Sequence, residues 1–420
     1  MSLSRNLVSM YVWQGVNYAV PLITLPYLAR VLEPQTFGVM GFAAATVAYA
    51  SLVVDWGFSL SATHKVAVER DNPAALARIA WNTFAAKAML ALASFGVLLA
   101  LIAAVPMLRE HAGLLLVTAT GLVGNVMAAD WFLQGVERMD RLAAASLVGR
   151  FVPIPFIFLL VHSPADVGIA ALLQALGGIA TGLLSFRLAW RTGLIRGVPL
   201  SAREAIAAIR GGATLFLSVA SMSLYSNLNT LLVFAIAGPM EGGLFVGADK
   251  LRRAAQALIG PISLVMYPRI ANTVSRSSAA GIVLIRRLLL VQGGFALALA
   301  IATWITAPLV VRILLGPDFV AATDVLRAFA PALFLVGINN VLGIQTMLPF
   351  GFRREFLISI LVPGALGLLY MPVLAWQYGA VGVAAALSTT ELLVNVVAGW
   401  CLYRRLGDMR HPAAAAQAMT

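Results

Sequence analysis

The sequence is short of charge, histidine and cysteine, and each shortage closes a class of function. Only 11% of its 420 residues are Asp, Glu, Lys or Arg, where a soluble domain carries about 25%. That is too little polar surface to coat a globule, so a soluble enzyme or receptor is excluded. The single cysteine, Cys401, rules out an internal disulfide and a thiolate metal site. Standing in an apolar run, it reads as packing. The four histidines, His64, His111, His162 and His411, fall in loops or tails, which excludes a buried histidine proton relay. No Gly-x-x-x-x-Gly-Lys-Ser/Thr run is present, so ATP hydrolysis is not expected. Long hydrophilic loops are missing too, the longest outer connection lying around 316–323. An integral-membrane glycan transferase or polymerase needs more room than that, so the chain is not expected to be an enzyme. Neither a metal nor an organic cofactor is expected.

What remains is apolar: 61% hydrophobic residues and a mean hydropathy of +0.91. Runs of about 20 residues, the length that crosses ~30 Å of hydrocarbon, fall near 7–29, 37–60, 79–105, 113–133, 142–161 and 167–189. They resume near 211–237, 243–266, 285–311, 324–349, 356–375 and 380–402, which predicts twelve transmembrane helices. The basic start MSLSRN leads into a run that passes Pro21 and Pro26. It outlasts the short core of a signal peptide and reads as a retained first helix.

A formal charge of +12 would suggest nucleic acid in a soluble protein. Here it marks sidedness, and no nucleic-acid partner is expected. With the N-terminus in the cytoplasm, the inner loops and tails hold 20 Lys and Arg, while the outer side holds only Arg30, Arg109 and Arg312. That asymmetry follows the positive-inside rule and puts both termini in the cytoplasm.

The basic linker 190–209 parts the runs into six and six, an N-terminal bundle over 1–198 and a C-terminal bundle over 199–420. A weak repeat accompanies the division. Glu33-Pro34-Gln35-Thr36-Phe37-Gly38 aligns with Gly238-Pro239-Met240-Glu241-Gly242-Gly243, each between the first and second helix of its half.

Several polar residues fall inside the apolar runs. The stretch GADKLRRAAQALIGP (247–261) sets Asp249, Lys250, Arg252 and Arg253 in the eighth helix. At 1.5 Å per residue they lie roughly 10–15 Å below the outer surface. Each charge at that depth costs about 2.5–3.5 kcal/mol on insertion scales unless paired or hydrated. Asp249, Arg252, Arg253 and Gln256 share one helix face, and Asp249 can pair with Arg253. Three cations still face one anion. A self-neutralised helix–helix contact has no use for that surplus, whereas a hydrated cavity that attracts an anion does, Arg and Lys both suiting phosphate.

The opening helices of the two halves carry polar stripes: Gln14, Asn17 and Tyr18 in the first, Ser218, Ser221, Tyr225 and Asn229 in the seventh. Either they line a shared cavity or they bond neighbouring helices. Lys87 and Arg150 are expected to add to a cationic lumen, and Asp55 and Asp130 to mark helix ends. Asp324 and Arg327 are spaced as a local pair, and Glu391 is the candidate ion-coupling carboxylate.

The segments ITLPYLARVLEPQTFGVMGFA (23–43), DWGFSLSATHKVA (55–67), DWFLQGVERM (130–139), YSNLNTLLV (225–233) and GADKLRRAAQALIGPISLVMYPRIA (247–271) occur in an order that resembles Wzx-type polysaccharide flippases. These belong to the multidrug/oligosaccharidyl-lipid/polysaccharide exporter superfamily. The resemblance implies an all-α membrane fold of two six-helix bundles around a central cavity, working by alternating access. It implies an undecaprenyl-diphosphate-linked oligosaccharide as cargo, moved to the periplasmic leaflet of the bacterial inner membrane. It further implies a proton or sodium gradient as drive, with polysaccharide polymerase or assembly proteins and membrane lipids as partners. Family members commonly carry Ala-Glu-Lys where this chain has Ala248-Asp249-Lys250, so a charge-balancing role passes to Asp249. A drug/cation antiporter of the same superfamily is the alternative, though it would favour an acidic cavity.

Overall fold

The computed structural model describes residues 3–195, 197 and 201–408; the side chains at 3–22, 218–219, 221–227, 264 and 406–408 lie outside the described residues. Every regular element among the described residues is helical, in keeping with the all-α expectation. Nine helical stretches there are long and apolar enough to cross a bilayer, which makes the chain a multi-pass membrane protein. The count differs from twelve because three runs pass into the next without a loop.

Compact packing separates two units, 1–235 and 236–420. The first contains α1 (Leu3–Asp55), α2 (Phe58–Val68), α3 (Pro73–Ala104), α4 (Pro106–Glu110), α5 (Ala112–Ala119), α6 (Gly121–Met127), α7 (Asp130–Gly135), α8 (Met139–Phe151), α9 (Pro153–Leu160) and α10 (Val167–Trp190). The division falls inside α11 (Ala202–Ala257). The second unit continues with α12 (Gly260–Arg276), α13 (Ser278–Leu314), α14 (Ala322–Leu342), a π-helical turn (Gly343–Met347) and α15 (Arg353–Asp408).

Within the first unit, α10 packs nearly backbone to backbone on α6. A Cβ built on Gly124 would stand 2.6 Å from the Gly178 carbonyl carbon, so only small residues permit the crossing. The break between α6 and α7 frees backbone groups that lipid cannot solvate. The buried Ser185 hydroxyl accepts the Ala129 N–H at 3.0 Å and meets part of that need.

Three long helices break at residues of positive φ: α1 at Glu33 (φ 57, ψ 164), α11 at Gly238 (φ 89, ψ 176) and α15 at Gly379 (φ 55, ψ −135). Glu33 and Gly238 both precede proline, which disfavours helical backbone in the residue before it. They also occupy matching positions of the sequence repeat, so the repeat is a copied local geometry. The third break is capped from a distance, the Glu241 carboxylate accepting the Ala380 N–H at 2.7 Å where the helix restarts.

Positive φ with ψ near 170° is a region essentially restricted to glycine, and another residue there stores about 1–3 kcal/mol. Glu33→Gly is expected to raise stability in detergent by roughly 1 kcal/mol once glycine's extra chain entropy is counted. Gly238→Ala should lower it by about 1–3 kcal/mol. Equal melting of both variants and the parent would remove the strain argument.

Candidate functional site

The deep charges of α11 form one bonded constellation. Asp249 Oδ1 accepts from Arg252 Nε at 2.8 Å and from Nη2 at 2.7 Å, while Oδ2 accepts from Arg253 Nε at 2.6 Å. The i, i+3 and i, i+4 spacings place both guanidinium groups over one carboxylate. Arg252 also donates through Nη1 to Gln256 Oε1 at 2.5 Å and lies 5.2 Å from the centre of the Phe329 ring. Asp249 and Arg252 are each 7% exposed. The Arg253 side chain is 48% exposed.

The two arginines therefore differ. Arg252 is an internal strut, its nitrogens committed to Asp249 and Gln256 and its face to an aromatic ring. Arg253 shares a carboxylate with it and still presents about half its surface. Lys250, next to Asp249 in sequence, is half-buried. Asp249 is the carboxylate that both guanidinium groups share.

Glu391 of α15 lies within electrostatic reach of Arg252 and hydrogen-bonding reach of the Asn339 side chain. Its Oε2 is buried without a hydrogen-bond partner among the described residues, as is Asn395 Oδ1 one turn on. The same unit holds a polar seam that sequence reasoning missed. Gln292 Nε2 donates to the Gly337 carbonyl at 3.1 Å, and the Gln345 side chain on the π-helical turn donates to the Ser263 carbonyl at 2.7 Å. Gln292 and Gln345 are both fully buried. A π-turn inside a membrane helix was the available structural signal, but residue patterns do not announce one.

In the first unit Lys87 takes a different part from the one expected. It is 1% exposed, within electrostatic reach of Asp55 and Asp130, and Asp130 is within reach of Arg150. Two cations face two carboxylates, so Lys87 and Arg150 contribute balanced charge instead of a lumen surplus. Asp55 ends α1 and Asp130 begins α7, each followed by Trp at a helix break. The repeated Asp-Trp was the sequence signal for this cluster.

Of the polar stripes, Asn229 is 3% exposed and its Oδ1 has no hydrogen-bond partner among the described residues. The side chains of Gln14, Asn17, Tyr18, Ser218, Ser221 and Tyr225 lie outside the described residues. Asp324 and Arg327 form the expected i, i+3 pair at 3.7 Å. Cys401 is buried and free, as packing requires. Among the described residues no group of His, Cys, Asp and Glu is arranged to hold a metal ion.

Comparison with known proteins adds relatives along nearly the whole chain. An Escherichia coli (strain K12) protein named "Putative O-antigen transporter" is 33% identical over 399 residues, covering 94% of this chain and 95% of its own. A Shigella dysenteriae protein of the same name is 28% identical over 398 residues, covering 93% and 98%. Among solved structures, "Lipid II flippase MurJ, inward closed conformation" superposes with a TM-score of 0.71 at 12% identity, covering 95% of this chain and 87% of that one. An inward-facing multidrug resistance transporter of the MATE family and MOP superfamily gives 0.64 at 13% identity, covering 94% and 99%. At such identities the structural likeness speaks for the fold alone, and the fold is that of the exporter superfamily. Residues 3–274 match the family described as "Polysaccharide biosynthesis protein", and with nearly two thirds of its length so matched, the chain belongs to that family.

Proposed function

We propose that the protein is a flippase that carries an undecaprenyl-diphosphate-linked oligosaccharide from the cytoplasmic to the periplasmic leaflet by alternating access. The observation that carries this reading is Arg253, a guanidinium deep in a membrane helix that is held by Asp249 and remains half exposed. The diphosphate is the part of such a substrate that hydrocarbon rejects. Arg253 and Lys250 supply its countercharge, while Asp249 and Arg252 hold Arg253 in place. The kinship with O-antigen transporters supports the same cargo. The sugars face polar residues such as Gln256, and the polyprenyl tail stays in lipid.

Three helix breaks added to nine spans give twelve crossings, six on each side of the linker 190–209, with both termini in the cytoplasm of the inner membrane. Glu391 is the ion-coupling carboxylate for a proton or sodium gradient, and the flippase hands its cargo to polymerase or assembly proteins. Its chemistry is translocation, with no bond made or broken in the glycan.

Arg253→Gln is expected to cut glycan export about 10–100-fold, the worth of one charge-assisted contact, without changing insertion and with a loss of stability small beside that of Asp249→Asn, because Asp249 keeps Arg252. The assay is surface polysaccharide in a deletion strain carrying the variant, beside leaflet transfer in proteoliposomes under imposed ion gradients. Full export by a well-expressed variant would refute the role. A drug/cation antiporter would instead show itself if deletion left the polysaccharide intact and raised sensitivity to cationic drugs.

A further inference from the structure

A second basic site lies wholly within the first unit, far in sequence from the constellation of α11. Helices α2 and α3 and the first turns of α11 enclose a cavity of about 200 Å³. Lys65 and Arg78, both exposed, stand on its wall. Its polar interior is Ser61, Asn82, Thr83 and Glu204, and the rest is apolar, including Phe58, Ile79 and Ala208. We infer that this cavity binds the phosphate of a lipid headgroup.

The charges select the ligand class. Two cations face one carboxylate, and Glu204 is already engaged by the Asn82 amide. The net surplus of one positive charge suits a phosphodiester, for which Arg offers a fork and Lys a point charge. Hydroxyl chemistry argues against a sugar ligand. Ser61 donates to the Gly57 carbonyl at 3.1 Å and Thr83 to the Ile79 carbonyl at 2.8 Å, so both protons are spent on their own helices. Lys65 and Arg78 are left as the strong donors. The apolar walls distinguish a lipid from a free anion, since they accept glycerol and the start of an acyl chain.

The cavity is held open by its frame. Trp56 Nε1 donates to the Ile209 carbonyl at 2.7 Å, and its ring stacks on Phe216 with centroids 3.9 Å apart. Gly57 at φ 72 lets α2 begin against the backbone of Leu215 and Phe216, where a Cβ would stand 3.2 Å from the Phe216 nitrogen. These contacts pin α11 to the start of α2 beside the pocket. Lys65 near the end of α2 and Arg78 near the start of α3 belong to the cytoplasmic side in the orientation proposed above. The leaflet follows from that orientation; the phosphate chemistry does not depend on it.

The test is lipid binding by the delipidated full-length protein, followed by native mass spectrometry with phosphatidylglycerol, phosphatidylcholine, undecaprenyl diphosphate or inorganic phosphate. Phosphatidylglycerol is expected to bind, and the double substitution Lys65→Gln with Arg78→Gln to weaken it roughly 25-fold, about fivefold per cation. Ala208→Trp fills the cavity without altering charge and should have a comparable effect, whereas Arg253→Gln should have none. Preference for undecaprenyl diphosphate with the same dependence on Lys65 and Arg78 would identify the lipid as cargo-like instead of a resident phospholipid. Unchanged lipid binding by the double variant, equal binding of phosphatidylcholine, or saturation by inorganic phosphate alone would overturn the inference. None of these readouts measures flipping, so failure here and failure of the flippase reading are separable.

Discussion

Asp249→Asn is expected to destabilise the protein by about 3–5 kcal/mol, the usual result of removing one partner from a buried ion pair. The carboxylate is 7% exposed and accepts three hydrogen bonds from two arginines. Its removal strands Arg252, also 7% exposed, in a place where water cannot reach the guanidinium. Arg252→Met should be much milder, about 1–2 kcal/mol, because Asp249 keeps Arg253 and the thioether can lie on Phe329 in place of the guanidinium. A simple count of bonds gives each side chain three and would predict equal losses. Melting in detergent decides, read beside expression to separate folding from insertion. If Arg252→Met proved the more damaging, Glu391 and not Asp249 would be the charge that Arg252 chiefly balances.

The same constellation marks where residue patterns inform and where they stop. Its intrahelical half was legible, because spacings of three and four residues put side chains on one face of any helix. Its tertiary half was not: Phe329, Asn339 and Glu391 arrive from α14 and α15, and no local period ties them to Arg252. The apolar runs were legible for an equally physical reason, the fixed thickness of hydrocarbon. The joins between runs were harder. At Glu33 and Gly238 an X-Pro step breaks the helix within one residue and lets it resume, so a run of polar loop residues is never needed. Lys87 was misread because a cation in the middle of an apolar run suggests a lumen until Asp55 and Asp130, from two other helices, are placed beside it.

That three-helix arrangement makes Lys87 the other position of large effect. Lys87→Met would leave the Asp55 and Asp130 carboxylates within reach of each other with no ammonium between them, at an expected loss of about 3–5 kcal/mol. Asp130→Asn should do less, because Lys87 keeps Asp55, and because one Asp130 oxygen already lacks a hydrogen-bond partner. Combined, the two substitutions should destabilise by less than their sum, with a coupling of about 1–3 kcal/mol. The reason is that the second change removes the repulsion left by the first. A double-mutant cycle measured by chemical denaturation in detergent gives this coupling directly. Additive effects would mean that the ammonium is balanced elsewhere, and the four charges of the first unit would then be neighbours without being partners. A coupled cycle would instead make Lys87 the tie between α3 and the breaks that end α1 and begin α7, so that a buried cation in this unit holds helices together.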